Sequence, residues 1–342
     1  MDVLSDVLRA VRLTGAVYFD IDASSPWVGA SPDTARIAAS VMPGVEHVVS
    51  FHAVMSGSCW AALDDGSAPP PLHLNAGDIV IFPGGAPNMM SSSPGAQAEP
   101  DMAMYCRPTD DHLPFSLQMG GGQDRTRFVC GYLGCDARPF NPLLAALPPM
   151  VCIRKPANGS GWVTDLIRVA LAEGGGSRAG RQAVLAKLSE LMFVEAIRIF
   201  LESMPTNSRG WLSGLRDMHV GEALRLIHSH PAEDWTVDRL SRKVGLSRTI
   251  FADRFTDYVE VSPMQYLTRW RLQLASRLLE QSGTSIARAA AEVGYESEAA
   301  FNRAFKKFVG VPPGTWRKKR LAAIAQRAQT SDPTISDSIN QA

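Results

Sequence analysis

One local grammar occurs twice in the last third of this chain: a capped helix, a glycine, and a second capped helix. In the first copy Thr236 is placed to cap a helix whose first turn carries Asp238, an acid that complements the positive end of the helix dipole. Val237, Leu240 and Val244 form its apolar stripe, and Gly245 ends it where a tight turn calls for positive φ. Ser247 then caps a second helix, 248–257, expected to bury Ile250, Phe251 and Phe255. In the second copy Ser285 caps a helix with Ile286, Ala290 and Val293 inward, Gly294 turns the chain, and Ser297 caps a helix. That helix is expected to bury Phe301, Phe305 and Phe308, with Asn302, Arg303, Lys306 and Lys307 on its opposite face. The repeat predicts two helix-turn-helix units, in each of which the second helix is the one shaped to enter a DNA major groove.

The segment between the copies, from Pro263 to Leu279, reads as a helix of 17 residues, or roughly 25 Å at 1.5 Å per residue. With its flanking turns it would set the two second helices roughly 34 Å apart, one turn of DNA. The connector is then a ruler as well as a tether.

The charge distribution agrees with this. The 342-residue chain is formally neutral, with 34 basic and 34 acidic residues. Residues 1–210 hold 15 basic and 20 acidic side chains, whereas residues 211–320 hold 18 basic and 12 acidic. A basic excess confined to one segment is the electrostatic footprint of a nucleic-acid module joined to a neutral or acidic partner domain. The length allows two domains with separate cores. No uninterrupted apolar run reaches the 18 residues of a membrane span, and the opening Met1-Asp2-Val3-Leu4 lacks the basic start of a secretory leader. A cytoplasmic location without membrane contact is expected. The five cysteines, Cys59, Cys106, Cys130, Cys135 and Cys152, are odd in number and lack a CxxC spacing. They read as small buried side chains, with a thiol sensor as the alternative.

Residues 1–149 read as mostly β. Runs such as 48–54 and Ile79-Val80-Ile81-Phe82 are bounded by turn-forming clusters, Asn75-Ala76-Gly77-Asp78 on one side and Pro83-Gly84-Gly85 on the other. A small β-barrel or sandwich is expected, preceded by a short helix over 2–13 with Val3, Leu4, Val7, Leu8 and Val11 on one face. From about residue 160 the period turns helical. Residues 162–171 form a short amphipathic segment, Gly174-Gly175-Gly176 a break, and 182–201 a longer helix with more than one apolar stripe, as needed to meet two partners, one of them a second subunit. Pro205-Thr206-Asn207-Ser208 reads as a linker and 331–342 as a polar tail.

At this point residues 211–320 resemble the DNA-binding domain of the AraC/XylS family of transcription regulators. The resemblance is carried by Gly245-Leu246-Ser247, Ser262-Pro263 with Tyr266-Leu267, Arg271-Leu272 with Ala275, Leu278-Leu279, and Val293-Gly294-Tyr295-Glu296-Ser297. Phe301, Arg303-Ala304-Phe305-Lys306, Gly310-Val311-Pro312-Pro313 and Trp316-Arg317 complete it. By that likeness the groove-facing positions are Arg248, Thr249, Ala252 and Asp253 in the first unit and Glu298, Ala299, Asn302 and Arg303 in the second, supported by Lys306 and Lys307. Arginine suits guanine, asparagine adenine, and an acid cytosine N4, while Ala252 offers only a methyl group and Asp253 repels phosphates. The bland reading of each is a solvated helix face. It weighs equally for Asp253, for Glu298 and for the run Lys318-Lys319-Arg320 as a solubilising end. Trp235, Trp270 and Trp316 read as core anchors rather than base stackers.

The stretch from His52 to Trp60, then 74–83, together with Cys130-Gly131-Tyr132 and Asn141-Pro142-Leu143-Leu144, resembles the cupin-like regulatory domain found in one branch of that family. The fold expected is therefore multidomain α and β. A cupin-like β-barrel spans 1–150, a helical linker and dimerisation region 151–210, and an all-α domain with two helix-turn-helix units 211–320, followed by a tail over 321–342. The partners implied are double-stranded promoter DNA, a second copy of the chain, RNA polymerase and a small-molecule effector. Phe51, His52, Trp60 and Met90 are candidates for the effector's walls, with core packing as the competing role.

No catalytic, cofactor or metal residues are expected. A metal-binding cupin needs two histidines one residue apart, a glutamate and a further histidine after the Pro-x-Gly turn. His52 has no such partner, His47 and His73 do not restore the spacing, and Pro87-Asn88 stand where the last ligand would be. The chain has no Gly-x-Ser-x-Gly elbow, and Gly120-Gly121-Gly122 lacks the helix a phosphate loop requires. Two other functions stay open at this level: a cupin-type metal enzyme fused to a DNA module, and an architectural protein that binds DNA of any sequence through its phosphates.

Overall fold

The computed structural model describes residues 2–11, 13–42, 45–64, 70–105, 114–135, 139–155, 165–166, 169, 181–205 and 208–330. Most of the helix expected over 162–171, the glycine break at 174–176, Cys106 and the tail from 331 lie outside these residues. The chain divides into two compact units. One, the sheet unit, comprises 11–136 and 144–206. The other, the helical unit, comprises 1–10, 137–143 and 207–342.

Among the described residues ten strands build the sheet unit: β1 (Thr14–Ser24), β2 (Val28–Ser31), β3 (His47–Ser56), β4 (Ser58–Leu63), β5 (Leu72–Asn75), β6 (Ile79–Phe82), β7 (Asn88–Ser91), β8 (Phe115–Gly120), β9 (Arg125–Cys135) and β10 (Val151–Ile153). They pair as a six-stranded sheet, β10-β6-β3-β9-β1-β8, and a four-stranded sheet, β2-β7-β4-β5. All pairings are antiparallel except that of β1 with β8. Apolar side chains from both sheets share one core, with Phe19, Ile21, Val54 and Phe128 from the larger meeting Cys59, Ala61, Leu74 and Met90 from the smaller. The turn expected before Ile79 forms at Gly77, where Asp78 accepts from the Asn75 and Lys155 backbone N–H groups and pairs with Arg154 at 2.7 Å.

The α-helices described with this chain segment are α2 (Thr34–Val41), α3 (Pro142–Ala146) and α4 (Arg181–Ser203). Helix α4 packs on β1, β9 and β10. It comes so close to β1 that a Cβ at Gly15 would lie 2.4 Å from the Ser189 Cβ. Its residues Leu185, Met192, Phe193, Ala196 and Ile197 are buried there, while Val184 and Leu191 are left exposed. The two apolar stripes read in the sequence are thus one covered face and one uncovered face.

The helical unit begins with α1 (Val3–Ala10) and continues with α5 (Trp211–Arg216), α6 (Met218–Ser229), α7 (Val237–Lys243), α8 (Arg248–Val259), α9 (Pro263–Glu280), α10 (Ile286–Glu292), α11 (Glu298–Val309) and α12 (Pro313–Thr330). Helix α1 buries Val3, Leu4, Val7 and Ala10 and packs on α6 and α9. The long helix α9 runs through two cores. Near its start Tyr266 is fully buried against Phe255 of α8. Its hydroxyl accepts from the Trp211 indole N–H (2.9 Å) and faces His228 Nε2 at 2.8 Å. Because an indole only donates, the tyrosine proton goes to His228. Towards its end Leu272, Ala275 and Leu279 join Ala289, Ala290, Val293, Phe301 and Phe305 in the second core. Trp235 and Trp270 are buried and Trp316 lies edge-on to Phe305, so the tryptophans anchor cores. Arg320 does not belong to a solubilising end: it is buried and pairs with Glu280 at 2.7 Å.

Candidate nucleic-acid interface and effector cavity

Each helix-turn-helix unit is built by its caps. The Thr236 hydroxyl accepts from Arg239 N–H (3.1 Å) at the start of α7, and the Ser247 hydroxyl accepts from Ile250 N–H (3.4 Å) at the start of α8. Ser285 and Ser297 do the same for Arg288 and Ala300 at 3.0 and 3.2 Å. Gly245 and Gly294 turn the chain at φ 75° and 84°, values that L side chains adopt only with strain. The connector α9 starts with a capping box in which Ser262 and Gln265 bond each other's backbone N–H, with Pro263 in the first turn. It is 18 residues long, about 27 Å.

Two contacts fix the second unit against the loop that precedes the first. The Arg271 guanidinium donates to the Pro231 and Glu233 carbonyls (2.7 and 2.8 Å) and lies 5.9 Å from the Tyr295 ring centre. Gly294 abuts Ala232 so tightly that a Cβ would stand 2.5 Å from the Ala232 carbonyl oxygen. Helix α8 is held in turn by Arg254, which grips Asp217, itself the N-cap of α6 through bonds from His219 and Val220 N–H (3.0 and 2.9 Å). Burial acts to raise the Asp217 pKa, but the guanidinium and the two N–H groups together hold it below the usual value.

The sequence-derived groove positions are exposed at the starts of the two second helices. Arg248, Thr249 and Asp253 are exposed on α8 and Ala252 is half-buried; Glu298, Ala299, Arg303, Lys306 and Lys307 are exposed on α11 and Asn302 is half-buried. Arg303, Lys306 and Lys307 have no ion-pair partner among the described residues. Arg248 has only a loose contact with Asp238 at 3.7 Å, both side chains solvated. Glu298 occupies the first turn of α11, where a carboxylate also serves the helix dipole.

Two aromatic or apolar positions depart from the expected pattern. Ile250, expected inside, is 58% exposed, and Phe308 is 36% exposed. Phe251 and Phe255, four residues apart, fill the α8 core stripe. Ile250 sits one step, about 100°, away from Phe251 and falls on the outer face, between Thr249 and Phe251 and near Asp253. Its apolar side chain therefore joins the candidate interface, a role that the apolar pattern alone assigned to the core.

Between its two sheets the sheet unit has a partly open cavity of about 150 Å³. Its walls are apolar, with Phe19, Ile21, Met90, Met119, Phe128 and Tyr132 among them, and Glu99 and Asp101 contribute carboxylates. Of the residues proposed for an effector wall, His52 and Met90 line it. Phe51 and Trp60 do not. Phe51 alternates to the opposite face of β3, where its ring fills the space left by Gly131, and Trp60 packs on His73 at 4.8 Å.

His52 is buried in the cavity wall. Its Nε2 lies 3.0 Å from Asn88 Oδ1 and its Nδ1 2.7 Å from Cys130 Sγ. The Asn88 amide N–H groups are directed at the Ala86 carbonyl (3.1 Å) and the Ser50 hydroxyl (3.4 Å), which fixes Oδ1 towards the imidazole. Nε2 therefore carries the proton, and Nδ1 is free to accept from the thiol. Burial lowers the His52 pKa to about 4, and burial raises the Cys130 thiol well above its usual value. Cys59, also buried, is raised to about 12. Among the described residues no group of three His, Cys, Asp or Glu side chains is placed to hold a metal ion. The cavity's possible donors, one imidazole, one thiol and the Glu99 and Asp101 carboxylates, are not gathered into such a group and do not fit the metal centre of a catalytic cupin.

Comparison with known proteins agrees with both halves of this description. Residues 2–202 match the family model described as a cupin, and residues 240–319 match a helix-turn-helix domain. An AraC-like transcription regulator of Streptomyces lividans is 30% identical over 93% of this chain and 98% of its own length. The regulator AlkR of Acinetobacter baylyi is 27% identical over 93% of this chain and all of its own. Among solved structures, the DNA-binding domain of AdpA in complex with a target DNA is 30% identical, covering 33% of this chain and 98% of that one, with a TM-score of 0.30.

Proposed function

Since this chain belongs to the AraC-like transcription regulators, in which a helix-turn-helix domain binds DNA, we propose that α8 and α11 enter successive major grooves of one promoter site. We also propose that the sheet unit's cavity holds the effector that governs this binding. The observation that carries the first part is the bracing of two capped helices about one 18-residue connector. Arg271 and the Gly294–Ala232 approach lock the second unit to the loop leading into the first.

In this reading Arg248, Thr249, Ile250, Ala252 and Asp253 face one groove. Glu298, Ala299, Asn302 and Arg303 face the next, and Lys306 and Lys307 neutralise phosphates. Arginine, asparagine and an exposed isoleucine are groups that tell bases apart, which favours sequence-specific binding over the architectural alternative. An apolar cavity with few unsatisfied polar groups favours a small, largely apolar effector. The depth and raised pKa values of Cys59 and Cys130 argue against rapid oxidation as the signal. The uncovered Val184 and Leu191 of α4 fit a second copy of the chain. Activation would run through contact of the DNA-bound dimer with RNA polymerase.

Genome-wide mapping of bound sites tests this reading. A motif with two conserved clusters one helical turn apart supports it, and binding without sequence preference contradicts it.

A further inference from the structure

The register of the larger sheet places Cys130 of β9 directly opposite His52 of β3. Asn88 reaches the same imidazole from β7 of the smaller sheet. The order is thiol, imidazole, amide oxygen. An amide that fixes the imidazole tautomer leaves Nδ1 facing the thiol as an acceptor, the geometry in which an adjacent base activates a nucleophile. Here it borders a largely apolar cavity of about 150 Å³, a size that holds one six-membered ring. Core packing alone does not require a histidine and an asparagine at this place.

We propose that Cys130, with His52 as its base and Asn88 orienting that base, captures a small apolar α,β-unsaturated carbonyl compound inside the cavity. This rests on reading the cavity as the effector site. As the Cys130 sulfur bonds to the β-carbon of the alkene, its proton passes to His52 Nδ1 and the π-electron pair moves onto the carbonyl oxygen as an enolate. His52 then returns the proton to the α-carbon. The net change is addition of S–H across C=C, with no oxidant and no leaving group. Asn88 Oδ1 accepts from Nε2–H throughout and stabilises the transient imidazolium.

Three features narrow the class of compound. Rings and the thioethers of Met90, Met104 and Met119 line the space, so the body of the molecule is hydrocarbon. Glu99 and Asp101 disfavour anions. At rest burial keeps both thiol and imidazole neutral, so general alkylating agents in solution meet little thiolate, and reaction depends on residence in the cavity.

The test uses the full chain and two probes of one shape, 2-cyclohexen-1-one and its saturated counterpart cyclohexanone. The enone is expected to add once, at Cys130, ahead of the more exposed Cys152, and cyclohexanone is expected to slow that addition and to raise Tm. His52→Gln should slow the addition at least tenfold. Cys130→Ser should take up no enone at this site while cyclohexanone still raises its Tm. If cyclohexanone raises Tm but the enone reacts first at Cys152, or at an equal rate in His52→Gln, the capture mechanism is wrong and the effector cavity stands. If cyclohexanone neither raises Tm nor protects Cys130, the effector reading of the cavity fails and takes the capture with it. Should His52→Gln not fold, the order of labelling and the protection by cyclohexanone in the unaltered chain decide alone.

Discussion

Gly294, in the turn of the second helix-turn-helix unit, lies against the carbonyl of Ala232, in the loop leading into the first, with no room for a side chain between them. The turn also needs φ 84°. One glycine thus serves two purposes, shaping its own unit and setting that unit against its neighbour. Gly294→Ala is expected to lower the unfolding free energy by about 1–3 kcal/mol, combining left-handed strain with displaced backbone. It should weaken DNA binding further than lost stability explains. Gly245→Ala, where a Cβ meets nothing within 4 Å, should show only the strain, about 1 kcal/mol. Urea unfolding of the two variants makes the comparison.

Base reading by the second unit is expected to reside in Asn302 and Arg303. Replacing either by alanine should cost about 1–3 kcal/mol on the preferred site and relax preference at one base position. Lys306→Ala and Lys307→Ala should weaken binding to all sequences alike and reduce its salt dependence. In the first unit, Ile250→Ala should leave stability within about 0.5 kcal/mol, because the side chain is exposed. It should also reduce preference for a thymine whose methyl it would contact. Competition binding at one fixed salt concentration measures each of these.

Acidification should destabilise both units through buried neutral histidines. His228 stacks on Trp270 at 4.0 Å, and burial lowers its pKa to about 3; burial brings His52 to about 4. In the unfolded chain each imidazole takes up a proton near pH 6.5. Around and below that value the unfolded state binds more protons, so stability is whole only well above about pH 6.5 and falls as the pH drops. Each histidine contributes a slope of about 1.4 kcal/mol per pH unit. Denaturant unfolding at pH 7.5, 6.5 and 5.5 should show a small fall in the first step, about 0.4 kcal/mol per histidine, and a fall of about 1 kcal/mol per histidine in the second.

Gln273 of α9 is fully buried and holds two backbone groups distant in sequence, accepting from Phe140 N–H at 2.8 Å and donating to the Ala10 carbonyl at 3.3 Å. Gln273→Leu keeps the volume and leaves both groups unpaired. A loss of about 1–3 kcal/mol is expected in urea unfolding. An unchanged stability would mean that water satisfies both groups.

Much of this architecture was legible in the sequence where the determinants are local. Ser247, Ser297, Gly245 and Gly294 announce their roles because a cap or a positive-φ turn depends on the next few residues. Ile250 was misjudged for a physical reason: an apolar residue adjacent to a core stripe carries no local mark of which side of the helix it takes, and here the α8 core is already filled by Phe251 and Phe255. The pair of contacts on Arg271, the Gly294–Ala232 approach and the buried Arg320–Glu280 pair join residues tens of positions apart and leave no periodic trace. The same holds for the cavity. Phe51 and His52 are neighbours on β3, and nothing local marks which of the two faces the cavity; the meeting of His52 with Asn88 and Cys130 likewise depends on the register of three strands.

In the function proposed here α8 and α11 read two adjacent major grooves as one rigid pair. The most direct measurement is the affinity of the full chain for its mapped site and for the same site with five base pairs inserted between the two conserved clusters. Half a helical turn moves the second cluster to the far side of the duplex, roughly 17 Å further along. A loss to the level of non-specific DNA is expected, with guanine N7 methylation interfering at both clusters of the intact site. Equal affinity for the intact and the lengthened site, with interference confined to one cluster, would contradict it.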